Sequence, residues 1–207
     1  MELRPDDLTW AERYKLLIGS VLPRPIAFVS TISPDGRHNI APFSFFTAVG
    51  SNPMTMLFCP ANHPDGSEKD TLRNAKPESE GGTGEFVVNV VKHLYATPMS
   101  SAAAHLPYGE SEFERVGLTP APSRSVRAPR LAESPVCFEC RTRQVIRTNP
   151  GQAAAGNIVI GEVVHVHVQD GAINERFHID PAVLDLVGRM GGDGYCTTRD
   201  RFSIPRI

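Results

Sequence analysis

Residues 23–60 read PRPIAFVSTISPDGRHNIAPFSFFTAVGSNPMTMLFCP. Apolar residues occupy both alternating sets of positions in residues 26–31, so this run predicts a strand buried on both faces. Pro34-Asp35-Gly36 is a strong turn signal, because proline presets φ and glycine accepts a positive φ. Asn52-Pro53 marks a second turn before residues 54–59. The stretch therefore predicts three strands joined by tight turns.

The middle of this stretch departs from the pattern of a plain core strand. Residues 39–46, NIAPFSFF, place a proline, a serine and three aromatics where alternation would be expected. Pro42 has no backbone N–H to donate to a sheet, so it marks a bulge, an edge or the end of pairing. Backbone groups around residues 43–46 are then free to bond something other than a strand. We interpret the segment as a surface for a flat, partly polar ligand.

The rest of the chain predicts strands with a few short helices. Residues 10–18 form an amphipathic helix with Thr9 as its cap. Asp180-Pro181 opens a last helix, which Gly191-Gly192 ends. Strands are predicted at residues 86–91, 136–146 and 157–168. We expect one domain over residues 1–207, with an N-terminal extension (1–20) and a C-terminal helix and tail (178–207).

Short strands with turns between them favour a barrel over a doubly wound sheet. A chain of 207 residues is long enough for one domain with a sizeable core. Its formal net charge of −2, with scattered basic residues, argues against a nucleic-acid surface. No apolar run reaches the length of a membrane span, and the polar N-terminus lacks a signal core. We therefore expect a cytoplasmic protein without a membrane partner, and four cysteines do not suggest a disulfide scaffold.

A polar loop at residues 62–68 leads into what reads as the start of a short helix at residues 69–74. Free N–H groups and the dipole at a helix start favour a dianion. Lys69 and Arg73 add positive charge, while Ser67 and Thr71 add hydroxyl donors. The alternative is that Ser67 or Asp70 merely caps a surface helix and that Lys69 is solvated.

Several segments occur together in an order that is typical of a known family. They are residues 23–60, 69–74 (KDTLRN), 84–89 (GEFVVN), 118–120 (LTP), 132–136 (AESPV), 161–164 (GEVV) and 189–192 (RMGG). With these motifs the chain, from about Pro23 almost to its C-terminus, resembles the flavin reductase-like family of FMN-binding split barrels. The resemblance implies a mainly β fold, a Greek-key-like split β-barrel with a few short peripheral helices.

The resemblance also implies a site for FMN. The implied cofactor-binding residues are Asn39, Pro42, Phe43, Ser44, Thr47 and Ser51 along the ring, and Ser67, Lys69, Asp70 and Thr71 at the phosphate. Arg24 and Ser30 are secondary candidates, and residues 189–195 are expected to reach the site. No catalytic side chain is expected, because the flavin itself accepts hydride.

The family membership implied by these motifs predicts a flavin reductase. Reduced nicotinamide, NAD(P)H, is the implied transient donor, and electrons pass on to an acceptor or a partner oxygenase. The implied assembly is a homodimer with FMN near its interface. One alternative is an electron carrier that holds FMN tightly.

The other alternative is a non-enzymatic barrel module that binds a metal or another ligand through His165 and His167. These two residues share a strand face, but such a site would need a Glu and another His. Cys137 and Cys140 are three apart on a strand and point to opposite faces, which argues against a metal or redox pair. The glycine-rich residues 81–84 lead into a strand, so they predict a loop insertion rather than a nucleotide-binding loop.

Overall fold

A computed structural model describes residues 1–104, 106–107 and 110–205 of the chain. The strands, in chain order, are β1 (Ala27–Ile32), β2 (His38–Phe43), β3 (Phe46–Ser51), β4 (Met54–Phe58), β5 (Glu85–Asn89), β6 (Pro120–Ala121), β7 (Arg130–Leu131), β8 (Val136–Arg147), β9 (Asn157–Val168), β10 (Val187–Arg189) and β11 (Tyr195–Thr197). The helices are α1 (Trp10–Ser20), α2 (Asp70–Ala75), α3 (Ala96–Ser101), α4 (Glu112–Val116) and α5 (Pro181–Leu184). The prediction of a mainly β chain with short helices is confirmed.

Seven of these strands form one antiparallel sheet in the order β2-β1-β5-β8-β9-β4-β3. The strands predicted around residues 86–91, 136–146 and 157–168 become β5, β8 and β9, and β8 and β9 are the longest pair. The two short pairs, β6 with β7 and β10 with β11, lie outside this sheet. Strands β2 and β3 are its two edges.

Strand β1 is buried on both faces, as its sequence predicts. Ile26 and Phe28 pack into one apolar cluster, with Ile40, Met99, Phe113 and Leu131 among its members. Ala27 and Val29 pack into a second cluster with Phe43, Phe58 and Phe86. The Phe43 and Phe58 rings lie 5.3 Å apart, and the Phe58 and Phe86 rings 5.1 Å apart. The sheet therefore carries apolar packing on both sides of β1.

The opening stretch contains four strands, so the prediction of three was wrong. The additional strand, β3, pairs with β4 and has five exposed residues out of six. It lacks the alternation that signals a half-buried strand, because neither of its faces is covered within this chain. Pairing also continues past Pro42, since Pro42 lies opposite Phe28 and Phe43 opposite Ala27. Pro42 therefore marks an edge strand, where a missing N–H is tolerated, and not the end of pairing.

The predicted C-terminal helix is also wrong in its extent. Asp180 caps α5 through a bond from the Ala182 N–H, and Pro181 begins the helix, as expected. The helix ends after one turn, because Asp185 adopts a left-handed φ of 43°. The following residues form the β10–β11 hairpin, and Gly191-Gly192 lies in its turn. The last two residues of the predicted tail, 206–207, lie outside the described residues.

Helix α1 begins and ends close to its predicted limits. Thr9 and Glu12 form a reciprocal capping box: the Glu12 N–H donates to the Thr9 hydroxyl and the Thr9 N–H donates to the Glu12 carboxylate. The helix nevertheless buries none of its residues within this chain. No described helix combines the length and apolar character that a bilayer span requires.

Gly161 in β9 offers a test of the packing between the central strands. A Cβ at this position would lie 2.3 Å from the Phe86 ring carbon Cζ and 3.2 Å from the Cys140 Cβ. Phe86 is fully buried and packs against the Phe58 ring, so it cannot move without disturbing the core. We expect Gly161→Ala to lower the free energy of unfolding by about 1–3 kcal/mol, as overpacked cores do.

Chemical denaturation measures this change as a shift in the denaturant midpoint, with the denaturant dependence of the unfolding free energy (the m-value) unchanged. Gly50→Ala is the matched control, because a Cβ there meets nothing within 4 Å. Equal stability of the two variants would contradict the packing described for β9.

Candidate functional site

A cavity of about 120 Å³ lies where β2 faces α2 and α4 at the edge of the sheet. We call it the β2–α2 cavity. Six of the ten residues expected from the sequence line it: Asn39, Pro42, Phe43, Lys69, Asp70 and Thr71. The remaining walls are Ala41, His63, residues 102–104, Leu106 and Glu112. Two segments separated by about thirty residues in sequence are thus brought together, as the FMN prediction requires.

Lys69 is the notable charge of this cavity. It stands at the N-cap position of α2, where no side chain caps the first free N–H groups. Burial lowers the pKa of its ammonium group. Among the described residues, no ion pair includes Lys69. A half-buried cation without a carboxylate partner favours an anionic ligand.

A buried network of amides and hydroxyls forms the floor beneath Lys69. The Asn39 amide donates to the Thr71 hydroxyl oxygen over 3.0 Å and to that of Thr31 over 3.2 Å. The Asn74 amide donates to Thr31 as well, over 3.1 Å. Thr71 therefore accepts a bond from the protein, and among the described residues its own hydroxyl hydrogen has no acceptor. That hydrogen is available to an acceptor oxygen in the cavity.

Glu112 is a site residue that the sequence did not reveal. It is 7 % exposed, and its carboxylate accepts a bond from the Ile40 N–H over 3.1 Å. This bond satisfies a donor on the outer side of the edge strand β2. Burial raises the pKa of Glu112, despite that bond, and so favours the neutral acid. The only sequence signal was its place at the start of a short helix, which does not show what the carboxylate contacts.

A second cavity, of about 230 Å³, adjoins the first and shares Pro42 and Ala103 with it. We call it the Pro42 cavity. Ser44 lines it, together with Arg189 and Tyr195 from the β10–β11 hairpin. Arg189 and Tyr195, from the segment expected to reach the cofactor site, thus line the same cavity as Ser44. Arg189 stacks on Tyr195, with its guanidinium carbon 4.5 Å from the ring centroid.

Arg24 holds one of the residues that line the Pro42 cavity, Ser44. Its side chain donates to the Ser44 hydroxyl oxygen over 3.1 Å and to the carbonyls of Ile18, Val21 and Met190. It is 3 % exposed, and burial lowers the pKa of its guanidinium group. Arg24 thus connects the end of α1, Ser44 and the β10–β11 hairpin.

Four other candidates lie outside both cavities. The exposed Ser67 donates its hydroxyl to Asp65 over 2.6 Å, within the loop. Thr47 and Ser51 are exposed on the edge strand β3. Ser30 is buried and donates to the Pro129 carbonyl over 2.5 Å while accepting from Asn89. In this chain, Ser30 and Ser67 serve local structure.

Two further motifs have structural explanations. Cys137 and Cys140 are free thiols that pack into different apolar clusters, as their spacing predicted. The glycine-rich loop packs against the end of α2, where the Thr83 N–H donates to the Asn74 carbonyl over 2.7 Å. A Cβ on Gly82 would lie 2.0 Å from the Lys76 carbonyl oxygen, so this glycine allows a close backbone approach.

The chain is similar to known proteins over most of its length. The model of the flavin reductase-like domain matches residues 18–186. An uncharacterized protein of Halalkalibacterium halodurans is 41% identical over 207 residues, covering 100% of this chain and 96% of that protein. The crystal structure of nitrilotriacetate monooxygenase component B from Bacillus cereus is 32% identical with a TM-score of 0.90, covering 99% of this chain and 98% of that one.

A third likeness concerns the fold alone. A putative flavin reductase with a split barrel domain from Shewanella frigidimarina is 24% identical, with a TM-score of 0.83 over 100% of both chains. The split-barrel prediction is thereby confirmed.

Proposed function

The chain belongs to the flavin reductase-like family, which makes it a flavin oxidoreductase in class, and we propose that it takes hydride from NAD(P)H onto bound FMN. Electrons then pass to an acceptor or to a partner oxygenase. The observation that carries the proposal is Lys69, a half-buried cation without a carboxylate partner among the described residues, in a cavity beside Pro42. The likeness to a monooxygenase component B supports the partner oxygenase.

The residues present fit the two ends of FMN. Lys69 and the Thr71 hydroxyl hold the phosphate, and Asn39 fixes the Thr71 side chain through its amide. Burial raises the pKa of Glu112 and so disfavours a negative charge beside the phosphate. Asp70 lies at the cavity wall and faces Arg73, whose guanidinium is 3.5 Å from its carboxylate. Together the two cavities reach the lower end of the roughly 300–1,000 Å³ range of small-molecule sites.

The ring belongs along Pro42, Phe43 and Ser44, at the edge of the sheet. Pro42 lines both cavities and offers an apolar surface without an N–H. Arg24 holds the Ser44 hydroxyl in place, and Arg189 with Tyr195 closes the opposite wall. FMN, when bound, supplies the hydride acceptor. The residues of the two cavities would bind and orient it.

A homodimer completes the proposal. Trp10, Tyr14, Leu17 and Val21 follow one another at helical spacing along α1, and each is more than half exposed. Phe45, which precedes β3, and Val49 in β3 are exposed at the far edge of the sheet. Exposed apolar side chains grouped in this way are typical of protein interfaces. We place Thr47 and Ser51 of β3 at this interface, where a second copy brings them toward FMN.

The visible spectrum of the purified protein tests the proposed function. We expect flavin absorbance, or its appearance when FMN is added, and bleaching when NADH or NADPH is supplied without oxygen. Turnover with excess free FMN should continue until the nicotinamide is consumed. Reduction of bound FMN without turnover would assign an electron carrier instead, and no FMN uptake at micromolar concentrations would remove the proposal.

Lys69→Ala tests the phosphate position. Loss of one charge-assisted bond should weaken FMN binding by about 1–3 kcal/mol, or roughly 5- to 150-fold in Kd. Fluorescence titration of the apoprotein with FMN measures the change. Lys92→Ala is the control, because Lys92 lies at a different cavity beside Asp185 and Arg199. Equal affinities of the two variants would exclude Lys69 from the site.

Leu17→Glu tests the dimer. A carboxylate at the centre of the apolar stripe on α1 would be desolvated in the interface, so we expect a shift from dimer to monomer at micromolar concentration. Lys15→Glu changes the charge on the opposite face of α1 and should leave the dimer intact. Sedimentation velocity over a concentration series separates the two outcomes. A Leu17→Glu protein that stays dimeric would place the interface elsewhere.

A further inference from the structure

Strands β8 and β9 carry a polar cluster that is separate from both cavities. Glu139 on β8 lies directly opposite His165 on β9, and His167 follows two residues later on the same strand. Side chains two apart on a strand share a face, so all three project to one side of the pair. Their nearest ligand atoms, a carboxylate oxygen and two imidazole nitrogens, all lie within 4.8 Å of one another. The sequence predicted that His165 and His167 share a face but did not show a carboxylate partner.

The spacing of these atoms is close to that of a metal site. The Glu139 Oε1 and His167 Nε2 atoms are 2.5 Å apart, and the two imidazole ring centroids are 4.7 Å apart. Ligands at about 2.0–2.2 Å from Zn²⁺ in tetrahedral geometry are separated from one another by about 3.4 Å. A bound ion would require side-chain rotations that separate the Glu139 and His167 atoms to that distance. A metal ion would then replace the proton shared by Glu139 and His167.

The backbone around Glu139 is arranged to hold its carboxylate in place. Glu139 is fully buried, and its two oxygens accept bonds from the Arg124 and Ser125 N–H groups over 2.8 and 2.6 Å. Metal-bound carboxylates are commonly oriented by such outer contacts. The pairing of β8 with β9 also shifts register next to Glu139, and β-bulges frequently re-aim side chains near functional sites.

The two histidines are accessible to solvent, whereas the Glu139 carboxylate is not. His165 and His167 are half-buried, so an ion can enter from solvent and a water molecule can complete its coordination. Three protein ligands and one open position are typical of a His₂Glu zinc site. Two imidazoles disfavour the hard cations Mg²⁺ and Ca²⁺, which prefer oxygen ligands.

We propose that Glu139, His165 and His167 form a binding site for a divalent transition-metal ion of the Zn²⁺ type. The site lies at the β8–β9 pair, shares no residue with the β2–α2 or Pro42 cavity, and fixes the loop at residues 124–125 to the sheet. A hydrogen bond between Glu139 and His167 alone would not need His165. The role of His165 therefore separates a metal site from a structural hydrogen bond.

The test uses the full-length chain without a histidine tag, treated with a chelator and then titrated with ZnCl₂ by calorimetry, with and without FMN. We expect one Zn²⁺ per chain in both conditions. His165→Ala keeps the Glu139–His167 bond and should weaken Zn²⁺ binding roughly tenfold or more. His178→Ala is the control, since this exposed histidine lies outside the cluster. Titration with Co²⁺ should give the visible d–d bands of a low-symmetry site, and His165→Ala should remove them.

Thermal unfolding of each variant, followed by circular dichroism, establishes that it is folded before its binding is compared. His167→Ala and Glu139→Gln should also lose Zn²⁺, and His165→Ala decides the question if Glu139→Gln does not fold. Absence of stoichiometric Zn²⁺ binding would overturn the proposal. Binding that is equally strong in the wild type, His165→Ala and His167→Ala would overturn it as well, because the ion would then occupy other groups.

Discussion

The rest of the structure depends on the requirement that β1 hide both of its faces. Its two sets of side chains enter two different apolar clusters, so protein must cover the sheet on both sides at this strand. On one side that cover includes Met99 of α3 and Phe113 of α4, and on the other side Leu72 of α2. Because β2 is the edge strand next to β1, the short helices meet around β2. The candidate cofactor cavity lies where their coverage of this edge is incomplete.

An edge strand within a protein must still satisfy its outward backbone groups. Pro42 removes one donor from the edge, and Glu112 accepts from another, the Ile40 N–H. Arg24 donates in a similar way to the carbonyls of Ile18 and Val21 at the end of α1 and to that of Met190 in the β10–β11 turn. Both polar residues are buried for structural reasons, and both lie beside the place where a ligand would bind. The same polar residues therefore satisfy backbone hydrogen bonds and border the candidate site.

Many of the strands and helices could be predicted from the local sequence pattern. The wrong predictions and the missed residues have identifiable causes. The limits of β9 and the cap of α1 follow from residues close in sequence, which is why they were predicted well. Strand β3 was missed because an exposed edge strand has no hydrophobic alternation, and the last helix was overextended because its end depends on Asp185 adopting a left-handed backbone. Glu112 and Glu139 were missed because their partners lie 72 and 28 residues away.

The electrostatics of the β2–α2 cavity support the proposed phosphate position. Burial lowers the pKa of Lys69 and raises that of Glu112, so desolvation moves each group toward its neutral form. Without a ligand, the cavity holds a cation whose charge burial disfavours. A phosphate group would give Lys69 an anionic partner, and burial, which raises the pKa of Glu112, disfavours a competing negative charge there. An anion in this cavity would stabilise the charged form of Lys69, whereas an apolar group in the same place would not.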